Sequence, residues 1–297
     1  MSSFMMKIVS GYLRLTQKPR MNTVARAHKA IAREKTSSAP PSRLTARHDV
    51  SSTKFGGFTV HSVTPRGENA ACAVIYLHGG AYISEIAPQH WSLISKMVDA
   101  GVRVDVPIYG LAPQHSYRDA YAFVSDVYRA LSSEYPPESI SIMGDSAGAG
   151  LALGFVQTLH AAERLRRLVL ISPWLDLALS NSRIPAAEKR DPWLSSVGLV
   201  EAGKSWAAGD APTLPKLSPI NGPLDRLPVT DVYIGTHDLF YPDVAHLRSR
   251  AAAVGIDIRV VECPGAVHVY PLVPVPEAKA ATESIVRSVS QTNESRR

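Results

Sequence analysis

The chain has 297 residues, of which 45% are hydrophobic and 20% charged, a composition typical of globular proteins that excludes a wholly disordered chain. Its formal charge of +6 would alone suggest a nucleic-acid or anionic-membrane ligand. That charge is unevenly placed, because residues 1–47 carry ten Lys and Arg against one acid, and the other 250 residues carry 22 bases and 25 acids. A basic arm with a net charge of +9 therefore precedes a body with a net charge of −3, and we expect no nucleic-acid partner.

The two cysteines, Cys72 and Cys263, are too few for a disulfide framework or a four-ligand zinc site, and we expect neither metal nor cofactor. No run of 18 apolar residues is present, so we expect no membrane span. The first 15 residues lack an apolar core followed by a small-residue cleavage site, which favours a cytoplasmic location over secretion. A basic, acid-poor start is also typical of organelle transit peptides, and the sequence leaves that alternative open.

The arm (residues 1–47) comes first in the chain and predicts two helices, at 3–15 and 22–34, separated by a turn at Pro19. Beyond residue 48, short β-branched runs alternate with segments of helical periodicity. This alternation predicts an α/β fold with a mostly parallel sheet that is covered by helices on both faces. The predicted strands are 58–63, 71–77, 102–106, 140–143, 168–171, 229–234 and 257–261, and the predicted helices are 89–99, 117–132, 146–160, 243–254 and 277–290.

A proline-rich stretch, residues 176–227, interrupts this alternation between two predicted strands. Its piece 193–208 has helical character, but no strand pattern occurs in it. Long connections of this kind are typical of lids and substrate-binding elements.

The strongest motif is Gly144-Asp-Ser146-Ala-Gly148, which follows a predicted strand and opens a predicted helix. So tight a turn leaves little room for side chains two residues either side of the serine, which explains the glycines. The turn lifts the Ser146 hydroxyl clear of the sheet and aims the N–H of Ala147 at a developing oxyanion. Ser146 is therefore the candidate nucleophile, and the alternative is a serine that caps a helix in a glycine-rich turn.

A second motif, His78-Gly79-Gly80-Ala81-Tyr82, follows the predicted strand at 71–77. Adjacent glycines allow backbone N–H groups to face a cavity, which is how an oxyanion hole is built. We expect His78 to brace this loop, and the alternative interpretation of the motif is a simple turn.

A nucleophilic serine needs a base and an orienting carboxylate. Among the ten histidines, His268 is the candidate base, because it lies downstream of Ser146 in a loop after the last predicted strand. The candidate acid is Asp238, in the loop after the strand at 229–234. Asp243 is the weaker alternative, and we expect it to cap the next helix instead.

Together these residues resemble the hormone-sensitive-lipase-like branch of the α/β-hydrolases, which includes bacterial type IV esterases. The resemblance covers roughly residues 70–290. It is carried by six ordered segments: HGGAY, PIYGLAP (107–113), GDSAGAG, SPWLD (172–176), GTHDLFYPD (235–243) and GAVHVY (265–270).

The resemblance implies an α/β-hydrolase fold with a helical cap, the triad Ser146, Asp238 and His268, and oxyanion donors from Gly79, Gly80, Ala81 and Ala147. Ala81 stands where the family has a third glycine, which adds a methyl group but keeps the N–H. Tyr82 and Asp145 are candidate substrate-binding residues. The implied division is a basic helical cap segment at 1–47 and a catalytic domain at 48–297, with a cap insertion at about 176–211.

We therefore predict a serine carboxylic-ester hydrolase that acts on small-molecule esters, with short-to-medium acyl groups, through an acyl-enzyme. An amidase such as an arylformamidase would use the same site, and a ligand-binding relative without activity is the third alternative. Whether the chain forms a homodimer is left open.

The arm has two interpretations. We favour a solvated face of the cap, but an amphipathic element with Met5, Ile8, Tyr12 and Leu15 on one side would contact anionic lipid weakly.

Overall fold

An eight-stranded sheet lies at the centre of the protein, whose computed structural model describes residues 2–67, 69–160 and 164–291. The spatial order of the strands is β1-β2-β4-β3-β5-β6-β7-β8. The β1–β2 and β2–β4 pairs are antiparallel and the remaining pairs are parallel, so the carboxyl ends of β3 to β8 share one edge. The strands are β1 (Asp49–Phe55), β2 (Phe58–Thr64), β3 (Cys72–Leu77), β4 (Val102–Ile108), β5 (Ile140–Asp145), β6 (Arg167–Ile171), β7 (Thr230–Gly235) and β8 (Ile258–Cys263).

Helices cover both faces of this sheet, with a separate apolar core on each face. Every residue of β3, β5 and β7 is buried, and the sequence of β3, CAVIYL, is accordingly a continuous apolar run. The predicted α/β fold, a mostly parallel sheet with helices on both faces, is thus confirmed. The helices of the described residues are α1 (Phe4–Thr16), α2 (Val24–Ile31), α3 (Ser42–Arg47), α4 (Pro88–Asp99), α5 (Tyr117–Ser132), α6 (Ser146–Val156), α7 (Ile184–Arg190), α8 (Ser196–Ala207), α9 (Tyr241–Ala253) and α10 (Pro276–Ser290).

Three of these elements, β1, α3 and α7, are absent from the sequence-based prediction. Strand β1 is mostly exposed at the edge of the sheet, so its sequence DVSSTKF lacks an apolar face. It is held by a hairpin with β2 through Gly56 and Gly57, both with positive φ, as a tight hairpin turn requires. Helices α3 and α7 have only 6 and 7 residues, too few to show a clear helical period.

The arm makes contact with two different parts of the protein. Helix α1 buries Met6 and Leu13 against the body, and its cap residue Ser3 bonds Glu277 at the start of α10 through both its backbone N and its hydroxyl, at 2.6 and 2.9 Å. Helix α2 packs against α8 of the insertion. Gly198 of α8 permits the close approach of Met21, in the turn before α2, because a Cβ at position 198 would overlap it. The two segments implied as a cap therefore lie together.

No helix among residues 2–67, 69–160 and 164–291 is long and apolar enough to cross a membrane.

Candidate active site

The sharp turn between β5 and α6 exposes the Ser146 hydroxyl at the carboxyl edge of the sheet. Ser146 has a φ of 51°, a strained conformation for a residue with a side chain. A Cβ on Gly148 would overlap the backbone oxygens of Leu77 and His78, and one on Gly144 would overlap the oxygen of Gly148. Sterics at this turn therefore require the two glycines of the motif, as the sequence predicted.

Ser146, His268 and Asp238 form a hydrogen-bonded series. The Ser146 Oγ lies 2.9 Å from His268 Nε2, and His268 Nδ1 lies 2.9 Å from Asp238 Oδ2. The second Asp238 oxygen accepts the backbone N–H of Phe240 at 2.9 Å. Because an ionised carboxylate only accepts, Nδ1 carries the proton and Nε2 is left to accept the serine hydrogen. This is the arrangement in which a histidine can act as a base toward the serine.

His268 is buried, and its surroundings favour the protonated ring. Burial acts to lower the pKa of His268, but the adjacent Asp238 carboxylate outweighs it and holds that pKa above the ordinary 6.5. The rings of Trp193 and Phe240 stand edge-on to the imidazole, with centroids at 5.7 and 5.3 Å. Ser172 Oγ accepts the N–H of the next residue along, Val269, at 2.9 Å. These contacts fix the ring orientation.

The loop after β3 presents free backbone amides beside Ser146. Gly80, Ala81 and Tyr82 have successive φ values of 125°, 53° and 62°, a left-handed run that turns the N–H groups away from the sheet. Within the part of the chain that the structure describes, the N–H groups of Gly80, Ala81 and Ala147 have no hydrogen-bond acceptor. Three unpaired donors grouped near a nucleophile can stabilise an oxyanion.

Two of the candidate site residues, Gly79 and Asp145, contact each other. The N–H of Gly79 donates to Asp145 Oδ1 at 2.9 Å, so it is not available to an oxyanion. The same oxygen accepts the Tyr76 hydroxyl at 2.8 Å, and His90 Nε2 lies 3.3 Å from Oδ2. Burial acts to raise the pKa of Asp145, but His90, Tyr76 and the Gly79 amide together lower it. Asp145 is thus a buried brace between the elbow and the oxyanion loop.

Tyr82, a candidate substrate-binding residue, supports the loop after β3. Its hydroxyl donates to the backbone oxygen of Ala147 at 2.7 Å, and its ring stacks on Trp206 of α8 with centroids 4.4 Å apart. A second stack continues from Tyr82 through Trp174 to Phe240, which borders His268. The side chain is therefore buried beneath the insertion, where it holds the left-handed loop in place.

The remaining polar candidates lie outside the hydrogen-bonded series. His78 donates through Nδ1 to the oxygen of Gly79 at 2.7 Å, so it braces the loop as expected. Burial lowers the pKa of His78 to about 4, which keeps the ring neutral. Asp243 does not cap α9 as expected, because it lies inside the first turn of that helix and accepts Asn181 Nδ2 at 2.9 Å.

Two residues near the triad were missed by sequence reasoning, Asp191 and Trp193. Both follow α7 in the insertion, and Asp191 Oδ2 accepts the N–H of Leu239, the neighbour of Asp238, at 2.7 Å. No sequence pattern links positions 191 and 239, so only the fold reveals the contact.

No group of three or more His, Cys, Asp or Glu side chains in the described part of the chain is placed to hold a metal ion.

A mostly parallel sheet with a serine, histidine and aspartate in series at its carboxyl edge defines the class of protein as an α/β-hydrolase. The chain belongs to the α/β-hydrolase fold family, whose profile matches residues 74–272.

Curated relatives with enzyme names resemble the chain over most of its length. An esterase of Acinetobacter venetianus is 32% identical over 64% of this chain, and the match spans 64% of that esterase. An acetyl-hydrolase of Streptomyces hygroscopicus is 31% identical over 72% of this chain and 73% of its own length.

Solved structures resemble the whole fold. A Staphylococcus aureus protein solved as a candidate esterase superposes with a TM-score of 0.81 at 28% identity, covering 91% of each chain. An esterase from the bacterial hormone-sensitive lipase family gives 0.78 at 24% identity, covering 98% of each chain. These superpositions confirm the α/β-hydrolase fold over nearly the whole chain.

Proposed function

We propose that this protein is a serine carboxylic-ester hydrolase that acts through an acyl-enzyme. The observation that carries the proposal is the series Ser146–His268–Asp238, with both contacts at 2.9 Å. The relatives named above are called esterase and acetyl-hydrolase, which supports an ester as the substrate.

In the proposed reaction, His268 Nε2 accepts the Ser146 proton while Oγ bonds to the ester carbonyl carbon. The carbonyl oxygen becomes negative and is stabilised by the N–H groups of Gly80, Ala81 and Ala147. The intermediate then collapses: the C–O bond to the alcohol breaks, and His268 protonates the leaving alkoxide. Water, deprotonated by His268, then attacks the acyl carbon. The bond from that carbon to Ser146 Oγ breaks, Oγ takes the proton back from His268, and the carboxylic acid is released. Asp238 stabilises the imidazolium in both halves.

Hydrolysis of p-nitrophenyl acetate and butyrate by the wild type and Ser146→Ala tests this proposal. We expect Ser146→Ala to lose nearly all turnover, and a fluorophosphonate to label Ser146 in the wild type. Ser125→Ala is the matched control, because the Ser125 hydroxyl bonds only its own helix, at the oxygen of Tyr121. Equal rates for Ser146→Ala and the wild type would sink the proposal.

Amide cleavage is the alternative use of the same site. The ester-hydrolase names of the relatives argue against it, and an amine is a poorer leaving group than an alcohol. Comparing N-formylkynurenine with simple esters separates the two, and faster turnover of the formamide than of every ester would favour an amidase.

We propose short-to-medium acyl groups as the preferred range. The support is the aromatic cluster beside the site: Tyr82 stacks on Trp206 and Trp174 at 4.4 and 5.7 Å, and Trp174 stacks on Phe240, which borders His268. We expect these bulky rings to limit the length of the acyl chain. A series of p-nitrophenyl esters from acetate to palmitate tests this, and equal kcat/KM for palmitate and acetate would contradict it.

We further propose weak contact between α1 and anionic membrane surfaces, for substrates that partition into lipid. Apolar side chains on the outward stripe of α1 are exposed, Phe4 by 78% and Leu15 by 79%. Met5, Ile8 and Tyr12 lie on the same 100° arc of the helix and are also exposed. Cations on the arm complement an anionic surface, whereas the same stripe in a homodimer would bring like charges together.

Co-sedimentation with phosphatidylserine-containing vesicles tests this contact. We expect a Phe4→Ser, Leu15→Ser double variant to sediment less than the wild type, and a Val254→Ser control, which removes another exposed apolar side chain, to sediment equally. Analytical ultracentrifugation reports the alternative, since a dimer that dissociates in the double variant would assign the stripe to self-association. A cytoplasmic location stays part of the proposal, to be checked by cell fractionation.

A further inference from the structure

Asp191 is a fully buried carboxylate that belongs to the insertion but touches the loop that carries Asp238. It ends α7 in an extended conformation, and its side chain accepts three backbone N–H groups. Two come from its own segment, Trp193 at 2.6 Å and Leu194 at 2.8 Å, both to Oδ1. The third is the N–H of Leu239 at 2.7 Å, to Oδ2. A single side chain thus joins the insertion to the residue next to Asp238.

The segments that Asp191 joins both contact His268. The Leu239 amide follows Asp238, whose Oδ2 holds the imidazole Nδ1. The N–H of Trp193 donates to Asp191 Oδ1. The Trp193 indole stands edge-on to the imidazole, with ring centroids 5.7 Å apart. The position of the Asp191 carboxylate therefore determines where Asp238, the hydrogen-bond partner of the imidazole, and Trp193, which packs against it, are placed.

The arm holds the same segment from outside. Lys18 Nζ donates to the backbone oxygens of Glu188 and Asp191 at 2.7 and 2.6 Å. Two segments that are more than 170 residues apart in sequence thus meet at the base of the insertion.

We propose that Asp191 is a positioning residue for the hydrolytic reaction, tying the insertion to the acid loop so that Asp238 and Trp193 align His268 with Ser146. This inference rests on the proposed function and adds a residue to it. Asp191 contacts no reacting atom. A buried carboxylate without full hydrogen bonding is costly, so its three amide partners also explain why the charge is tolerated there.

The charge of Asp191 has a second consequence for His268. Burial, reinforced by the negative charge of Asp238, raises the pKa of Asp191 to about 6. Above that pH, three carboxylates favour the imidazolium: Asp238, Asp191 and Asp145. Lys18 of the arm faces the Asp191 backbone oxygen. Three charged residues, Glu188, Lys189 and Arg190, precede Asp191 on α7. Loss of the Asp191 charge should therefore shift the acidic limb of kcat/KM toward lower pH.

The experiment compares full-length wild type, Asp191→Asn and Asp191→Glu with p-nitrophenyl acetate, with kcat normalised to sites labelled by a fluorophosphonate. We expect Asp191→Asn to lower kcat per labelled site by about 10- to 100-fold with little change in KM, because a slightly displaced triad costs that much. Its acidic limb should also lie at lower pH. Asp191→Glu keeps the charge but displaces it by one methylene, so we expect a lower kcat with an unmoved limb.

Asp225→Asn is the matched control, since Asp225 is more than half exposed and pairs only with its neighbour Arg226. A kcat per labelled site within twofold of this control, in whichever Asp191 variant folds, would overturn the proposal. The proposal would also be overturned if Asp191→Asn kept the acidic limb of the wild type and its lower kcat were fully explained by thermal unfolding of the variant. Neither result touches the proposed function, which fails only if Ser146→Ala retains turnover.

Discussion

Replacing Asp145 by asparagine should weaken the brace between the elbow and the oxyanion loop. The asparagine carbonyl can still accept the Tyr76 hydroxyl and the Gly79 amide, now as neutral hydrogen bonds. The amide nitrogen then faces His90 Nε2, which carries a proton because His90 Nδ1 accepts the N–H of Ala87 at 2.8 Å. One charge-assisted contact is lost and two are weakened, so we expect about 2–4 kcal/mol lower stability.

That loss corresponds to a fall in Tm of roughly 4–8 °C for a chain of this size. We also expect kcat to fall by at least about tenfold, because the loop that presents Gly80 and Ala81 shifts, and loss of one oxyanion donor costs about 100-fold or more. Denaturant unfolding and kcat per labelled site measure the two effects. Asp126→Asn is the control, since Asp126 is exposed and pairs with Arg129 one helical turn away, a contact of about 0.5 kcal/mol. Matching stability and kcat in the two variants would refute the reasoning.

Three further outcomes follow from the same contacts. Asp238 helps to hold the pKa of His268 above 6.5, and only the neutral ring accepts a proton, so kcat/KM should fall on acidification with a midpoint above pH 6.5. Asp238→Asn should move that midpoint to lower pH. A midpoint well below pH 6.5 in the wild type would contradict this. Tyr82→Phe removes the hydroxyl that donates to the buried oxygen of Ala147, so we expect denaturant unfolding to show a loss of about 0.5–1.5 kcal/mol, and an unchanged stability would refute that role. Trp206→Ala opens space above Tyr82, so kcat/KM for p-nitrophenyl octanoate should rise relative to that for acetate. The variant should lose about 3–5 kcal/mol of stability. An unaltered octanoate-to-acetate ratio would show that Trp206 does not limit the acyl chain.

The parts of the site that rest on local sterics were predictable from the sequence. Gly144 and Gly148 are required by the turn itself, because any Cβ there meets backbone of the same motif or of the adjacent strand. His268 and Asp238 were selected by strand order, since loops after parallel strands share one edge of the sheet. Both arguments use short-range geometry or topology, and the structure places these residues where the arguments expect them.

The parts that rest on contacts between distant segments were not predictable. Gly79 and Gly80 are adjacent glycines of one motif, yet one amide is occupied and the other free, because Asp145 is 66 residues away along the chain and only the folded sheet brings it to Gly79. Edge strand β1 was missed for a related reason, since its exposed residues are under no pressure to be apolar.

Three buried carboxylates around the site share one structural device. Asp145 accepts the amide of Gly79, Asp191 that of Leu239, and Asp238 that of Phe240. A buried charge is tolerated only where such donors are already in place, so each carboxylate is stable only when its loop is correctly folded. The three carboxylates thus align the oxyanion amides and the imidazole, and the same loop geometry supplies the N–H groups that stabilise the buried carboxylates. Because these contacts orient the machinery and leave the substrate untouched, neutral substitution at any of the three should lower kcat more than it changes KM.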